Sequence, residues 1–345
     1  SSSYPRLWAG NSWVQIKNGG GMNDLSAPSV SVILPILNEE SDLENCITAI
    51  LQQDYDGELE VILALGPSKD STDLIAQKIA AKDKRVKLVK NPTGLTAAGL
   101  NLAIKASSFE IICRIDGHAE ISKTYIKSAV SIMQETGAVN VGGIMFADSD
   151  QGLQRTIAQA MRSKLGVGPS KFHTGGGAGE SETVYLGTFK KSAILAAGGF
   201  DERFIRAQDW ELNYRIRKQG GLIWFDPRLV VTYRPRKTFS KLARQYFQYG
   251  RWRRVITRTH SNTSSLRYLA PPFAVVVNLF SLVSGVFVTP LLLLPLMVYI
   301  FTMVIGGFLI GRKITDKLLM PLVLATMHMS WGLGFITSPK NLLKG

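Results

Sequence analysis

Two long stretches without charge constrain this chain more than any other feature. No Asp, Glu, Lys or Arg occurs in Ala270–Gly311 or in Leu318–Thr337. A helix of about 20 apolar residues is enough to cross the hydrocarbon core of a bilayer. The first stretch has room for two such helices, with a break near Gly285–Pro290 or at Pro295, and the second has room for one. We predict two to three membrane helices within residues 269–338, which excludes a wholly soluble protein.

The positive charge of the chain is concentrated just before these stretches. The formal net charge is +14, and Pro227–Arg267 holds eleven Lys and Arg residues but no acid. A basic segment beside a membrane helix is typical of the cytoplasmic side, where it meets anionic headgroups. Nucleic acid is the other common ligand of basic segments, but no zinc-finger, basic-zipper or RNA-binding signature accompanies this one. We expect residues 236–268 to form a basic amphipathic segment in the membrane interface that binds anionic lipids and no nucleic acid.

The cysteines and the N-terminal sequence lack the features of a secreted protein. Cys46 and Cys113 each lie inside an apolar run, which is typical of buried free thiols in a reducing compartment. The N-terminus lacks the basic stretch and apolar core of a secretory signal peptide. Ser1–Gly21 ends in three glycines before Met22. We expect it to be an expression-derived or disordered leader, and residues 339–345 to be a short tail.

Strand-like and helix-like segments alternate within residues 22–235. Apolar, β-branched runs at 29–36, 59–65, 85–90 and 109–116 are separated by segments with helical spacing. Repeated βα units predict an α/β fold with a parallel sheet covered by helices, and such sheets bind ligands at the carboxyl ends of their strands. The segments at that edge are Pro35–Glu40, Leu65–Asp70, Asn91–Leu95 and Asp116–His118.

The alternation becomes irregular after Ile121. We predict strands at 138–146, 183–189, 222–225 and 229–233, and helices at 153–164, 210–218 and 238–256. The glycine-rich segment His173–Gly179 is expected to be a mobile loop.

Six short motifs carry the polar residues of interest. In chain order they are Pro35-Ile36-Leu37-Asn38-Glu39, Gly66-Pro67-Ser68-Lys69-Asp70, Asn91-Pro92-Thr93-Gly94, Asp116-Gly117-His118, Gln208-Asp209-Trp210-Glu211 and Gln248-Tyr249-Gly250-Arg251-Trp252. Several admit a purely structural explanation, because Asn and Asp cap helices and turns and acids favour the first turn of a helix. The Trp and Arg of the last motif could simply anchor a helix at lipid headgroups.

Taken in order, the motifs resemble those of the family 2 glycosyltransferases with the GT-A fold, in particular the membrane-bound succinoglycan type. The resemblance extends from about Val30 to Trp252 and implies a Rossmann-like nucleotide-sugar transferase domain, followed here by an interfacial helix and membrane helices. It departs from the family at Leu65-Gly66, where an acidic pair is usual. The donor-binding residues that it implies are Pro35, Asn38, Glu39, Gly66, Ser68, Asp70, Asn91, Gly94, Asp116 and Arg251.

The same resemblance assigns a metal site and a catalytic base. Asp116 and His118 stand where the family has its D-x-D motif and are the expected ligands of a divalent cation. Imidazole favours Mn²⁺ over Mg²⁺. Asp209 is the expected general base of an inverting reaction. Glu211 is the alternative, although helical geometry turns it about 200° away from Asp209. The implied acceptor contacts are Gly187, Gln208, Gln248 and Trp252, with His173 and Gly175–Gly177 as a lid.

The function implied is transfer of a hexose from a nucleotide sugar, UDP-glucose by preference, to a polyprenyl-diphosphate-linked glycan at the cytoplasmic face of the inner membrane. The product would be exopolysaccharide or another cell-surface glycan. A polyprenyl-phosphate sugar synthase and a processive polysaccharide synthase remain as alternatives. The first needs no stacking Trp and the second normally needs more membrane helices. The non-enzymatic alternative is an inactive membrane scaffold that retains the fold.

Overall fold

The computed structural model describes residues 27–260, 263 and 265–343, so the predicted leader Ser1–Gly21 lies outside it. Within these residues nine strands form one mixed sheet, in the order β3-β2-β1-β4-β8-β6-β9-β5, with β7 paired to β9. The strands are β1 Val30–Ile36, β2 Leu59–Leu65, β3 Val86–Lys90, β4 Ile111–Arg114, β5 Glu120–Ile121, β6 Asn140–Ala147, β7 Gly179–Glu180, β8 Tyr185–Lys190 and β9 Ile223–Tyr233.

The described helices of the sheet domain pack around this sheet, and four longer helices follow it. The first group is α1 Leu43–Leu51, α2 Thr72–Lys82, α3 Thr96–Ala106, α4 Tyr125–Thr136, α5 Gly152–Met161, α6 Lys164–Val167, α7 Lys171–Thr174, α8 Lys191–Ala196 and α9 Gln208–Lys218. The second group is α10 Phe239–Thr259, α11 Leu266–Phe287, α12 Leu294–Ile310 and α13 Ile314–Ile336.

The first half of the sheet confirms the sequence prediction. Strands β3, β2, β1 and β4 pair in parallel. Val32 and Leu34 pack with α1 in one core cluster, whereas Ile33 packs with α3 in the cluster on the other face. Burial on both faces explains why these strands read as continuous apolar runs rather than as alternating ones. The two cysteines are free and buried, as expected.

The second half of the sheet corrects one prediction. The strands expected at 222–225 and 229–233 are a single strand, β9, whose pairing with β6 shifts register between Gly142 and Ile144. At the intervening turn the Asp226 carboxylate accepts hydrogen bonds from the backbone N–H of Arg228, at 2.9 Å, and from its guanidinium. The Asp226-Pro227 pair, which suggested a turn between two strands, therefore lies at a β-bulge within one strand. Sequence pattern alone does not distinguish a bulge from the end of a strand.

Helix α10 packs along α13 instead of lying apart from the apolar helices. Thr238 caps its N-terminus by accepting a hydrogen bond from the Lys241 N–H at 3.2 Å. Close approach of the two backbones depends on glycine, because a Cβ at Gly250 would lie 1.9 Å from the Trp331 carbonyl oxygen and one at Gly334 would lie 2.0 Å from that of Phe247. The basic segment is therefore fixed against the apolar helices by direct helix packing.

Three of the described helical segments have the length and composition to cross a membrane: Leu266–Phe287, Pro290–Ile310 and Ile314–Ile336. The chain breaks between α11 and a short 3₁₀ turn at Pro290–Leu293, the first of the two predicted positions. Pro271 and Pro272 lie inside α11. Large apolar side chains on the outer surfaces of these helices are exposed, among them Phe280 and Phe301.

Candidate active site

The turn after β1 and the turn after β2 are joined by hydrogen bonds between predicted donor-binding residues. The Asn38 N–H donates to Ser68 Oγ at 3.1 Å, and the Lys69 N–H donates to Asn38 Oδ1 at 2.8 Å. Asp70 accepts from the backbone and the hydroxyl of Thr72 and, at 3.4 Å, from the Glu40 N–H. The structure brings these residues together, and their hydrogen bonds hold the two turns side by side at the carboxyl edge of the sheet. Their contact with a nucleotide stays a prediction.

The third turn is packed against the second. A Cβ at Gly66 would lie 3.2 Å from the Cα of Gly94, which adopts a positive φ of 67°. Asn91 is buried, and its side chain donates to the Leu95 carbonyl and accepts from the Thr93 hydroxyl. The side chain of Asn91 is therefore engaged within its own turn. Pro35 lies within β1, paired with Ala64 of β2.

The centre of the site is an arginine between two aspartates. Arg114 ends β4, and its Nη2 lies 3.1 Å from Asp116 Oδ1, while its Nη1 contacts Oδ1 of Asp209 at the start of α9. The Arg114 side chain is 5% exposed, against 23% for Asp116 and 32% for Asp209. The predicted metal ligand and the predicted base, remote in sequence, thus share one cation, and we call the partly exposed surface beside these two acids the cleft.

The electrostatics of this group follow from burial and from the shared cation. Burial raises the pKa of Asp209 above its ordinary value, with Arg114 opposing the rise and Asp116 adding to it. Burial alone would lower the pKa of Arg114, but the two carboxylates raise it, so the guanidinium stays charged. An aspartate with a raised pKa in a partly open cleft is suited to accept a proton.

Glu211, the alternative base, has a structural role. It is 2% exposed and pairs with Arg215 at 2.6 Å and with His260 at 3.1 Å. Its carboxylate is enclosed by these partners and does not face the cleft beside Asp116. The helical geometry expected from the sequence is confirmed.

One ring nitrogen of His118 is held by a carboxylate. His118 Nδ1 lies 2.9 Å from Glu39 Oε1, an interaction that raises the pKa of the imidazole. A carboxylate on one ring nitrogen is the usual support for a histidine that ligates a metal through the other. Among the described residues no group of three or more acidic, His or Cys side chains surrounds one point. Asp116 and His118 could therefore hold only a cation that takes its other ligands from water and substrate phosphates, as Mg²⁺ and similar ions do.

Backbone strain is concentrated at this site. Among the described residues three non-glycine residues have positive φ: Asn38 at 56°, Leu186 at 42° and Ala207 at 60°. Asn38 lies in the first turn, Leu186 precedes Gly187, and Ala207 precedes Gln208 and Asp209. Such conformations are costly and persist where the surrounding structure enforces them, often at functional sites. The turn at Ala207 starts α9 and directs Asp209 towards Arg114.

The predicted acceptor residues are only partly brought to the cleft. Trp252 is 3% exposed and packs with Phe204, Val255 and Ile256, so its ring is not available to stack on a sugar as predicted. The reason is that α10 turns this residue towards the sheet domain. Gly187 lies buried within β8, where a Cβ would meet Asn140 Oδ1 at 2.2 Å.

Other motif residues make no direct contact with the aspartates. The Arg251 guanidinium lies over the Phe247 ring at 5.7 Å, and no described hydrogen bond or ion pair joins Arg251, Gln208 or Gln248 to Asp116 or Asp209. His173 lies in α7, where its Nδ1 is buried without a described partner and burial lowers its pKa to about 4. The lid role of this segment stays a prediction.

Two further residues were not assigned a role from the sequence. Arg114 lies two residues before Asp116 and was visible only as a charged residue at the end of an apolar strand. Tyr249, within the last motif, is 38% exposed, and its hydroxyl accepts from Gln245 at 2.7 Å. A charged residue ending a buried strand was the available signal for Arg114, because burial of an unpaired cation is unfavourable.

Comparison with known proteins agrees with this geometry. The family model described as Glycosyl transferase family 2 matches residues 31–193. The chain is 30% identical over 317 residues to the succinoglycan biosynthesis protein ExoA of Rhizobium meliloti (strain 1021), covering 91% of this chain and 96% of that protein. The chain is a family 2 glycosyltransferase. The alternative of an inactive scaffold is therefore not supported.

Further relatives of this glycosyltransferase agree with its fold and class. It is 26% identical over 331 residues to a dolichyl N-acetyl-α-D-glucosaminyl phosphate 3-β-D-2,3-diacetamido-2,3-dideoxy-β-D-glucuronosyltransferase of Methanococcus voltae, covering 92% of this chain and 98% of that protein. Its fold resembles the mannosyltransferase PcManGT from Pyrobaculum calidifontis, solved with GDP-Man and Mn²⁺, at a TM-score of 0.58 and 18% identity over 91% of this chain and 88% of the other. The GT-A architecture expected from the motifs is confirmed.

Proposed function

We propose that this glycosyltransferase transfers a hexose, with inversion, from UDP-glucose to a hydroxyl of a polyprenyl-diphosphate-linked glycan. The observation that carries the proposal is the Arg114 bridge, because it brings the proposed base Asp209 beside the proposed donor end at Asp116. The donor and acceptor sides of one displacement reaction would then be adjacent. The product would enter exopolysaccharide or another cell-surface glycan.

The donor nucleotide would lie along the carboxyl ends of β1 to β4. Pro35, Asn38 and Glu39 line the first turn, and the turns with Gly66, Ser68, Asp70, Asn91 and Gly94 support it. Asp116 and His118 would hold a divalent cation, Mn²⁺ in preference to Mg²⁺, which supplies charge stabilisation for the departing diphosphate. Arg251 is proposed to add positive charge at the diphosphate.

Asp209 is proposed to act on the acceptor. One of its carboxylate oxygens contacts Arg114, and the other accepts no hydrogen bond from the described residues. That second oxygen takes the proton of the attacking hydroxyl as the hydroxyl oxygen bonds to the anomeric carbon. The bond from that carbon to the diphosphate oxygen breaks at the same time, so UDP departs with the electron pair and the configuration inverts.

The acceptor would approach from the membrane side. Helix α10 packs on α13, which supports a position at the membrane surface, where its basic side chains would meet an anionic headgroup layer and Gln248, Tyr249 and Arg251 would lie on the acceptor side. The name of the M. voltae relative specifies a dolichyl-linked acceptor, which supports a lipid-linked substrate here. We place the sheet domain on the cytoplasmic side of the inner membrane, where the basic residues of α10 meet anionic lipids.

The test is nucleotide release by the purified full-length chain in detergent. UDP- and GDP-sugars are supplied in turn with Mn²⁺, Mg²⁺ or EDTA, with and without a membrane-lipid extract. We expect UDP release that needs the cation, is greatest with Mn²⁺, and rises with the extract. Analysis of the product by NMR should show a β-linkage from the α-linked donor. Release from GDP-sugars alone would overturn the donor assignment, and undiminished release in EDTA would overturn the cation.

A further inference from the structure

We infer that Arg114 is a positioning residue that holds Asp209 and Asp116 by one carboxylate oxygen each and leaves the other oxygen of each without a hydrogen bond from the described residues. The inference rests on the proposed function, in which Asp209 is the base and Asp116 lies at the donor end. It concerns a residue for which neither the motifs nor the comparisons give a role.

The burial of Arg114 requires partners that compensate its charge. It ends β4, a strand paired with β1 on one side and β8 on the other, and its side chain is almost fully buried. Burial of a guanidinium is unfavourable unless its charge is compensated and its N–H groups are hydrogen-bonded. The compensation comes from Asp116 and Asp209, which together leave one net negative charge on the group of three.

The orientation of the guanidinium determines the orientation of both acids. Nη1 contacts Asp209 Oδ1, Nη2 contacts Asp116 Oδ1, and the buried Nε has no described partner. The planar guanidinium therefore joins Asp116, which follows β4, to Asp209 in the first turn of α9, 95 residues from Arg114 in sequence. Within the described chain, Oδ2 of Asp116 and Oδ2 of Asp209 accept no hydrogen bond, and both side chains are several times more exposed than the arginine.

Lysine cannot reproduce this arrangement. Its ammonium is a point charge on a flexible stem, whereas arginine presents donors in a fixed plane. With lysine at residue 114 the charge balance survives but the two carboxylates are no longer held in one relative orientation. Displacement of a reacting group by about 1 Å can cost roughly a hundredfold in rate.

The first experiment needs no substrate and uses thermal unfolding of the full-length protein in detergent. Arg114→Met leaves two neighbouring, partly exposed carboxylates without their shared cation and should lower the Tm. Adding Asp209→Asn removes one of those charges and should restore about half of the loss, because contacting residues are not additive. If Asp209→Asn instead lowers the Tm of the Arg114→Met protein further, the proposed contact is wrong.

The second experiment measures UDP release with UDP-glucose, Mn²⁺ and the lipid extract. Arg114→Lys should lower kcat about a hundredfold while the Kd for UDP with Mn²⁺, measured by calorimetry, changes less than about threefold. In the Asp209→Asn background, Arg114→Lys should cause a clearly smaller loss, because the part of its effect that acts through Asp209 is already gone and only the part that acts through Asp116 remains. A residue needed only for folding would multiply the losses, and that result would overturn the inference.

The matched control is Arg215→Lys, since Arg215 also pairs with a buried carboxylate of α9, Glu211, but makes no described contact with Asp209. Its kcat should stay within about threefold of the unmodified protein. Failure of this inference is distinct from failure of the proposed function. An active Asp209→Asn enzyme would contradict the base assignment, whereas an inactive Asp209→Asn enzyme beside a fully active Arg114→Lys enzyme would contradict only the role of Arg114.

Discussion

Two arginine–aspartate clusters in the described part of this glycosyltransferase differ in how many carboxylate oxygens they leave without a hydrogen bond. In the first, Arg114 contacts one oxygen each of Asp116 and Asp209, and both acids remain partly exposed. In the second, Arg155 of α5 contacts both oxygens of Asp316 at the start of α13, and Asp316 is fully buried. We call them the cleft cluster and the anchor cluster.

In the anchor cluster both oxygens of the Asp316 carboxylate are fully hydrogen-bonded. Besides Arg155, Asp316 accepts hydrogen bonds from Thr156 Oγ1 at 3.0 Å, from Gln159 Nε2 at 2.9 Å and from the Lys313 N–H at 3.1 Å. Every donor is supplied by the protein, so no position is left for a ligand. The cluster fixes α13 to the sheet domain through α5. Both clusters consist of the same residue types, so residue type does not distinguish a structural ion pair from a reactive one. The difference is whether the carboxylate oxygens already have all their hydrogen-bond donors.

The largest effect should come from removing the reactive oxygen of the cleft cluster. Asp209→Asn keeps the shape of the side chain but cannot accept the proton, and we expect kcat to fall about a thousandfold, within the range of general-base catalysis. Binding of UDP with Mn²⁺, measured by calorimetry, should be nearly unchanged. Full activity of Asp209→Asn would remove Asp209 as the base.

The opposite result is expected for the anchor cluster. Asp316→Asn leaves Arg155 without its charge partner, and we expect a loss of about 3 kcal/mol in the free energy of unfolding, as for other broken buried pairs. Thermal unfolding in detergent measures the loss. The kcat of the protein that remains folded should be close to that of the parent. A change of kcat with an unchanged Tm would contradict the division between the two clusters.

The same distinction between open and enclosed groups applies to the aromatics of α10. Tyr249 is partly exposed, whereas Trp252 is enclosed by Phe204 and Ile256. Tyr249→Ala should raise the KM for the lipid-linked acceptor about tenfold, equivalent to the loss of about 1.4 kcal/mol of binding. Trp252→Phe, which keeps an aromatic ring in the enclosed cluster, should leave that KM within about threefold. The reverse order of effects would restore Trp252 as the acceptor contact.

The smallest effect should come from removing one neutral donor of the anchor cluster. Thr156→Val deletes a single hydrogen bond to Asp316 and should lower the free energy of unfolding by about 1 kcal/mol, measured by thermal unfolding. Thr188→Val is the control, since among the described residues the Thr188 hydroxyl hydrogen-bonds only to the weakly accepting Cys113 Sγ, at 3.5 Å. Equal losses for the two variants would mean that Asp316 is not especially dependent on its full set of donors.

Local pattern was sufficient for much of the molecule. The strands β1 to β4 were predictable because burial on both faces produces continuous apolar runs, and the apolar helices because about 20 uncharged residues match the thickness of a bilayer. The break before Pro290 and the burial of Cys46 and Cys113 also follow from local composition. The ordered motifs were sufficient to indicate the family.

Only the tertiary structure decided which polar groups remain available for chemistry. Arg114 is joined to Asp209 across 95 residues, Trp252 is enclosed, and Glu211 is paired with Arg215 and His260. Sequence pattern gives the secondary structure and the side from which each residue leaves it, since both depend on neighbours along the chain. Whether a carboxylate or a ring is enclosed by partners depends on elements that meet only after folding, and no local signal specifies those contacts.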